Sequence, residues 1–169
     1  DDPAGVADVQ GFLGVCAYHL GNLEEACERY TRKRIARAEM SGGRAEVSST
    51  ETFQGRFWRD QGRLAEALAL LQDGHRRTAE GGEASLHAGL CIELGLTYLV
   101  LGQPHRVHAL VDKPRHVPTP QVRLEGLLLE VDLARAEGRP MRAFLEDAQA
   151  LVPRCPRSER YAWRVHTEL

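Results

Sequence analysis

Apolar side chains recur along the chain with the spacing of helices. Leu64, Ala67, Leu68 and Leu71 fall at i, i+3, i+4 and i+7, as do Met141, Phe144, Leu145 and Ala148, which puts each set on one face of an α-helix. No stretch alternates as a strand would. Leu90 to Leu101 is the most uniformly apolar run, so its helix is expected to lie between neighbours. Glycine punctuates the pattern at Gly21, Gly62, Gly102 and Gly138, at intervals of 41, 40 and 36 residues. Each follows an apolar stretch, where glycine can take the left-handed conformation that closes a helix and lets the next one fold back. Pro104 and Pro140 stand two residues after a turn glycine, where a first helical turn tolerates a missing N–H.

The repeat has further fixed positions. Gly14, Gly55 and Gly95 precede the first three turns by seven residues, and Ala26, Ala67, Val107 and Ala143 follow the four turns by five. These small residues are expected to face each other across each hairpin so that the helix axes approach closely. The pattern predicts paired helices at about 6–20 and 22–40, 44–61 and 63–80, 84–101 and 103–112, and 120–137 and 139–151, with a last helix from about 157. Gly42-Gly43 and Gly81-Gly82 read as breaks between hairpins, and Lys113 to Pro120, with three prolines, reads as an extended connection.

The residues resemble the tetratricopeptide repeat. Its Leu-Gly pair, later aromatic, turn glycine and packing alanine read best as Leu94-Gly95, Tyr98, Gly102 and Val107; the first unit offers Leu13-Gly14, Gly21, Ala26 and Tyr30, and the second Gly55, Trp58, Gly62, Ala67 and Leu71. Val107 replaces the alanine, and the fourth unit has Val131 in place of its first glycine. The 40-residue period is similar to the long-helix variety in bacterial signal-transduction ATPase regulators and kinesin light chains. The resemblance implies an all-α, right-handed solenoid of about four helical hairpins plus a terminal helix, forming one domain over 1–169 with units at roughly 6–41, 44–80, 84–118 and 120–153 and the terminal helix at 157–169. It also implies a concave, protein-binding groove lined by the first helix of each hairpin. The family register assigns to that groove Tyr18, His19, Thr52, Arg56, Arg59, Asp60, Ile92, Leu96, Leu99, Leu128, Asp132 and Arg135. Such a surface suits an extended or helical peptide with acidic and aliphatic side chains. The Lys and Asn positions with which chaperone-tail binders clamp a carboxylate hold Gly11, Thr52, Ile92 and Leu128 here, so that specialised function is not expected.

Charge and cysteine content narrow the classes. The 169 residues carry 22 Lys+Arg and 24 Asp+Glu, for a formal charge of −2, without the cationic excess of a nucleic-acid or membrane-surface binder. No apolar run reaches the roughly 20 residues of a membrane span. Cys16, Cys27, Cys91 and Cys155 form no C-x-x-C pair and read as reduced thiols of a cytoplasmic protein. The start, Asp1-Asp2-Pro3, has no signal-peptide character and looks like a cut within a longer chain. Arg29, Lys33 and Arg37 make an i, i+4, i+8 row that Glu25 and Glu28 partly neutralise. His105, His108 and His116 lie close in sequence, and His87 precedes Cys91 by four, but neither set has the ligand complement of a metal site. Nucleotide-binding, hydrolase and zinc-protease motifs are absent.

The expected function is a non-catalytic interaction or scaffold module, cofactor-free, with a protein or peptide partner or other domains of its own chain. The resemblance further suggests a bacterial transcriptional or signalling regulator. The alternative is a small-molecule sensor that holds its ligand in the groove or in the gap around the proline-rich connection, a reading that an apolar pocket closed by Trp58 and Tyr98 would favour and an open groove would count against; an enzyme ranks lower. Tyr161 and Val165, on the helix starting near Ser158, are expected to need a partner helix that the chain does not supply, hence further repeats or a dimer contact at that end.

Overall fold

The computed structural model describes residues 3–41, 44–79, 83–155 and 159–169. All regular structure among them is helical: α1 (Pro3–His19), α2 (Leu23–Ser41), α3 (Arg44–Asp60), α4 (Leu64–Ala79), α5 (Ala84–Val100), α6 (Asp112–Arg115), α7 (Pro120–Ala136), α8 (Arg142–Leu151) and α9 (Glu159–Glu168). Consecutive helices pack in neighbouring pairs. The chain divides into two compact units, residues 1–86 and 87–169. Both Gly-Gly breaks and Ser158 lie outside the described residues.

The four turn glycines are elbows, with φ of 80°, 77°, 68° and 65° at Gly21, Gly62, Gly102 and Gly138. Each closes the preceding helix with the same pair of bonds. At the first elbow the Asn22 N–H donates to the Ala17 carbonyl at 2.9 Å and the Gly21 N–H to Tyr18 at 3.0 Å; Arg63 and Gly62, Gln103 and Gly102, and Arg139 and Gly138 repeat this at 2.8–3.2 Å. The pairing satisfies carbonyls that a helix end leaves open, and it requires a left-handed residue at the glycine position. Asn22 then starts α2. Its Oδ1 accepts from the Glu25 N–H at 3.3 Å while its Nδ2 donates to the Glu25 carboxylate at 3.0 Å, which anchors the first turn.

In the first unit, α1 meets α2 through the buried small residues Ala7, Gly11, Gly14 and Ala17. The predicted Gly–Ala facing is corrected here. A Cβ on Gly14 would lie 2.5 Å from the Tyr30 ring, and one on Gly55 would lie 2.5 Å from Leu71; the partner is the large residue nine after the turn, not the alanine five after it. The glycine makes room for that side chain, while Ala26 and Ala67 are fully buried one turn nearer the elbow. The basic row is also structural. The Arg29 Nη1 donates to Gln10 at 3.2 Å, the Lys33 stem lies where a Gly11 Cβ would go, and Arg37 binds Asp8 at 2.5 Å, so the row seals α1 onto α2. A core of Ala17, Ala26, Cys27, Tyr30 and Phe57 joins this hairpin to α3.

The second unit departs from expectation in its first hairpin. The helix expected over 103–112 is absent: up to residue 111 the chain forms a 3-10 turn at Pro104–Arg106 and further turns. The Val107 N–H bonds to Pro104 and the Leu110 N–H to Val107, so the two buried apolar residues follow a period of three. The expected extended connection contains α6 instead, with Pro114 tolerated in its single turn. Pro114 sits against Gly126 of α7, where a Cβ would approach it to 2.4 Å, and Arg115 of α6 binds both oxygens of the buried Glu130. In the next hairpin α8 begins at Arg142, two residues later relative to its elbow than α4 does, which leaves Ala143 exposed and buries Leu145 and Ala148. The core here is Leu124, Leu127, Leu128, Ala148, Leu151, Cys155 and Val165, with Val152 and Tyr161 packed on it.

Candidate functional site

The predicted groove residues of the first unit converge. Tyr18, near the end of α1, and Asp60, at the end of α3, are 42 residues apart, yet the Tyr18 hydroxyl donates to Asp60 Oδ2 at 2.8 Å. The repeat explains the meeting, because both stand in the last turn of a first helix just before an elbow. The Tyr18 ring stacks on Phe57 with centroids 4.7 Å apart, and His19 meets Tyr18 edge-on at 5.6 Å. The Arg59 Nε donates to Asp60 Oδ1 at 3.2 Å, and the Arg56 guanidinium lies 5.6 Å from the Phe53 centroid. Burial, then the hydrogen bond to Asp60, pushes the Tyr18 phenol up, against the pull of Arg56 and Arg59. The deeper Tyr30 phenol is pushed by burial up to about 12. The result is a half-buried aromatic platform edged by two guanidiniums and one carboxylate. Thr52 is half-buried on α3.

The second-unit residues divide differently. Leu96 and Leu99 are half-buried on α5, while Ile92 is buried. Leu128 is no groove residue. It is buried in the core beneath α9, and the family register misplaced it because α7 is apolar on nearly every side, from Leu124 to Ala134. Asp132 and Arg135 are engaged with α9: Arg135 donates to Asp132 at 2.8 Å and to Glu168 at 2.5 Å, and Arg164 donates to Asp132 at 2.5 Å. Tyr161 and Val165 have partners after all. Val165 is fully buried, and the Tyr161 hydroxyl bonds to Glu125 and accepts from Gln121 Nε2 at 3.0 Å. The α7–α8 hairpin supplies the surface that α9 was expected to lack.

Two clefts open beside the parts of the chain that the small-molecule alternative singles out, Trp58 and the proline-rich connection. In the first unit a cleft of about 670 Å³ is lined by Glu24, Cys27, Glu28, Thr31, Arg32, Trp58, Gln61 and Arg63, with the Arg63 guanidinium 5.0 Å from the Trp58 centroid. In the second unit a cavity of about 390 Å³ is lined by Arg115, Arg123, Arg154, Asp147 and the apolar Leu127, Ala150 and Leu151. Its three arginines come from a one-turn helix, the start of α7 and the segment after α8, so no helical period in the sequence links them. The histidines disperse: His108 Nε2 pairs with Glu137 at 2.7 Å, and His116 Nδ1 lies 2.9 Å from the Asp112 carbonyl. Within either unit taken by itself, no three His, Cys, Asp or Glu ligand atoms converge among the described residues.

The four cysteines are free thiols, and three of them are buried. Burial pushes Cys27 and Cys155 up and takes Cys91 to about 11, which keeps them protonated and poor nucleophiles near neutrality. No helix among the described residues is long and apolar enough to cross a membrane. No protein-family model matches the chain, and neither does any curated protein.

Proposed function

We propose that this chain is a non-catalytic interaction module built of tetratricopeptide-type hairpins, and that the α1–α3 face holding Tyr18, Arg56, Arg59 and Asp60 receives an acidic segment of a protein partner. The observation that carries this reading is the Tyr18–Asp60 bond. It joins equivalent turns of successive first helices into one surface, with Arg56 and the Asp60-paired Arg59 beside an aromatic platform. Planar guanidinium pairs carboxylates with defined geometry, and a neighbouring ring adds apolar contact for an aliphatic side chain. The four identical elbows support the repeat assignment, and the protonated, buried thiols fit a chain without nucleophilic chemistry. A place in a bacterial transcriptional or signalling regulator rests on the resemblance to the long-helix repeats of such proteins alone.

The small-molecule reading has less support. The cleft at Trp58 is lined by two carboxylates and two guanidiniums, whereas ligand pockets are predominantly apolar with few placed polar groups. The test is an anisotropy screen of the purified chain against arrayed peptides that mix Asp or Glu with Leu or Ile. Selected peptides are expected to lose at least tenfold in affinity with Arg56→Glu, and to weaken between 50 and 200 mM salt, with helical circular dichroism unchanged. Unaltered affinity in that variant removes the assignment of this face, and failure of every acidic peptide to bind removes the proposed partner class.

A further inference from the structure

The cavity of about 390 Å³ in the second unit is walled by two helical rows. On α7, Arg123 and Leu127 are one turn apart; on α8 and the turn that follows it, Asp147, Ala150, Leu151 and Arg154 fall at i, i+3, i+4 and i+7, so each set lies on one face. The two helices fold back on each other at the Gly138 elbow. Arg123 stands 15 residues before that glycine and Arg154 stands 16 after it, which brings both guanidiniums to the open end of the hairpin, with Leu127 and Leu151 one step nearer the elbow. The frame is held on both sides. Pro114 seats α6 against Gly126 of α7, and the buried Cys155 thiol, bonded to the Leu151 carbonyl at 3.3 Å, fixes the turn that carries Arg154.

The three arginines are not equivalent. Arg115 is already committed: it binds both oxygens of the buried Glu130, and its guanidinium lies 5.8 Å from the Phe144 centroid. Arg123 and Arg154 have no ion pair among the described residues. Two like charges at one end of a cavity repel unless an anion joins them. Three guanidiniums stand against the carboxylates of Glu130 and Asp147, so a single added negative charge balances the cavity, whereas a phosphate dianion overshoots and crowds Asp147. The wall of Leu127, Ala150 and Leu151 calls for an apolar body on that anion, and the volume, at the small end of ligand sites, limits its size. We propose that this cavity binds a small aliphatic carboxylic acid, its carboxylate held by the forks of Arg123 and Arg154 and its hydrocarbon part lying on Leu127, Ala150 and Leu151. Such a site adds a ligand to the second unit and shares no residue with the α1–α3 face, so the two are tested independently.

The probe is 4-methylpentanoate, titrated into the full chain and followed by amide-resolved NMR. Saturable shifts are expected at Arg123, Leu127, Ala150, Leu151 and Arg154. Acetate, which lacks the apolar body, and 4-methylpentanamide, which lacks the charge, are each expected to bind at least fivefold more weakly, and inorganic phosphate no more tightly than acetate. Arg123→Gln and Arg154→Gln are each expected to weaken the acid at least fivefold, and Ala150→Glu to abolish its binding. Asp147→Asn is expected to tighten it twofold or more, an effect that a merely structural Asp147 would not produce. These side chains are half-buried or exposed, and helical circular dichroism is expected to stay unchanged in all four variants. No saturable binding, an amide that binds as well as the acid, phosphate that binds more tightly than the acid, or Asp147→Asn that weakens it, each overturns the proposal.

Discussion

Asp132 on α7 accepts a 2.5 Å hydrogen bond from Arg164 on α9, and the two form one corner of a closed ring of alternating charge. From Arg164 the ring runs to Glu168 at 3.2 Å, on to Arg135 at 2.5 Å and back to Asp132 at 2.8 Å. Each member touches two opposite charges, so the ring ties α9 down more firmly than isolated surface pairs, which typically give 0–1 kcal/mol. In a double-mutant cycle, Asp132→Ala and Arg164→Ala are expected to couple by about 1 kcal/mol in urea denaturation, falling by half or more in 1 M salt. Additive effects would mean that Val165 and Tyr161 alone hold α9.

Glu51 presents the reverse balance. Its side chain is buried, it receives Arg77, and its Oε2 has no hydrogen-bond partner. Burial pushes its carboxyl up despite the guanidinium. A carboxyl with a raised folded pKa holds its proton more tightly in the native state, so the stability it adds is present at low pH and is lost as pH rises through the folded value. Glu51→Gln is therefore expected to match or exceed wild-type stability at pH 7 and to flatten the fall in stability above the ordinary carboxylate range. Arg77→Ala strands the buried charge and is expected to cost about 2 kcal/mol or more at pH 7. Urea titrations from pH 4 to 8 separate the two, and a Gln variant less stable by over 1 kcal/mol at pH 7 contradicts this assignment.

What was legible in the sequence follows from what constrains a residue locally. The elbows were legible because a left-handed position strongly favours glycine and the interval between them fixes the register, which also brought Tyr18, Arg59 and Asp60 together. The third hairpin was not, because Val107 and Leu110 at a spacing of three satisfy an α-helical and a 3-10 pattern alike. Leu128 was misread because a helix buried on most sides has no apolar stripe from which to choose a face. Ala143 was misplaced because the fourth elbow takes two more residues before its helix begins. Arg115 and Glu130 lie on different elements whose distance apart follows no repeat, so their pairing required the packing of Pro114 against Gly126 to be known.

Thiol reactivity checks the burial that the family register does not address. Cys16 is partly exposed, whereas Cys27, Cys91 and Cys155 are buried. With Cys91 raised to about 11, its thiolate fraction at pH 8 is about one part in a thousand. Ellman's reagent at pH 8 is expected to titrate one thiol rapidly in the native chain and four in denaturant. Rapid modification of Cys91 alongside Cys16 would show that α5 is not buried as described.

Two glycines in the second hairpin separate backbone strain from crowding. At Gly62 the φ is +77° and nothing lies within 4 Å of an added Cβ; at Gly55 an added Cβ would fall 2.5 Å from the buried Leu71 side chain. Gly62→Ala should cost about 1–2 kcal/mol through the left-handed backbone, and Gly62→Asn less, because asparagine tolerates that region better. Gly55→Ala should cost about 1–3 kcal/mol through overpacking. The distinguishing result lies in the second substitution. Leu71→Ala opens a cavity and costs about 2–5 kcal/mol alone, but it also removes the atoms that a Cβ at position 55 meets. Combined with Gly55→Ala it should therefore cost less than the sum by about 1 kcal/mol or more, whereas Leu71→Ala and Gly62→Ala should simply add. Additivity in both pairs, measured from urea midpoints at constant m-value, would mean that Gly55 is not where α3 makes room for α4.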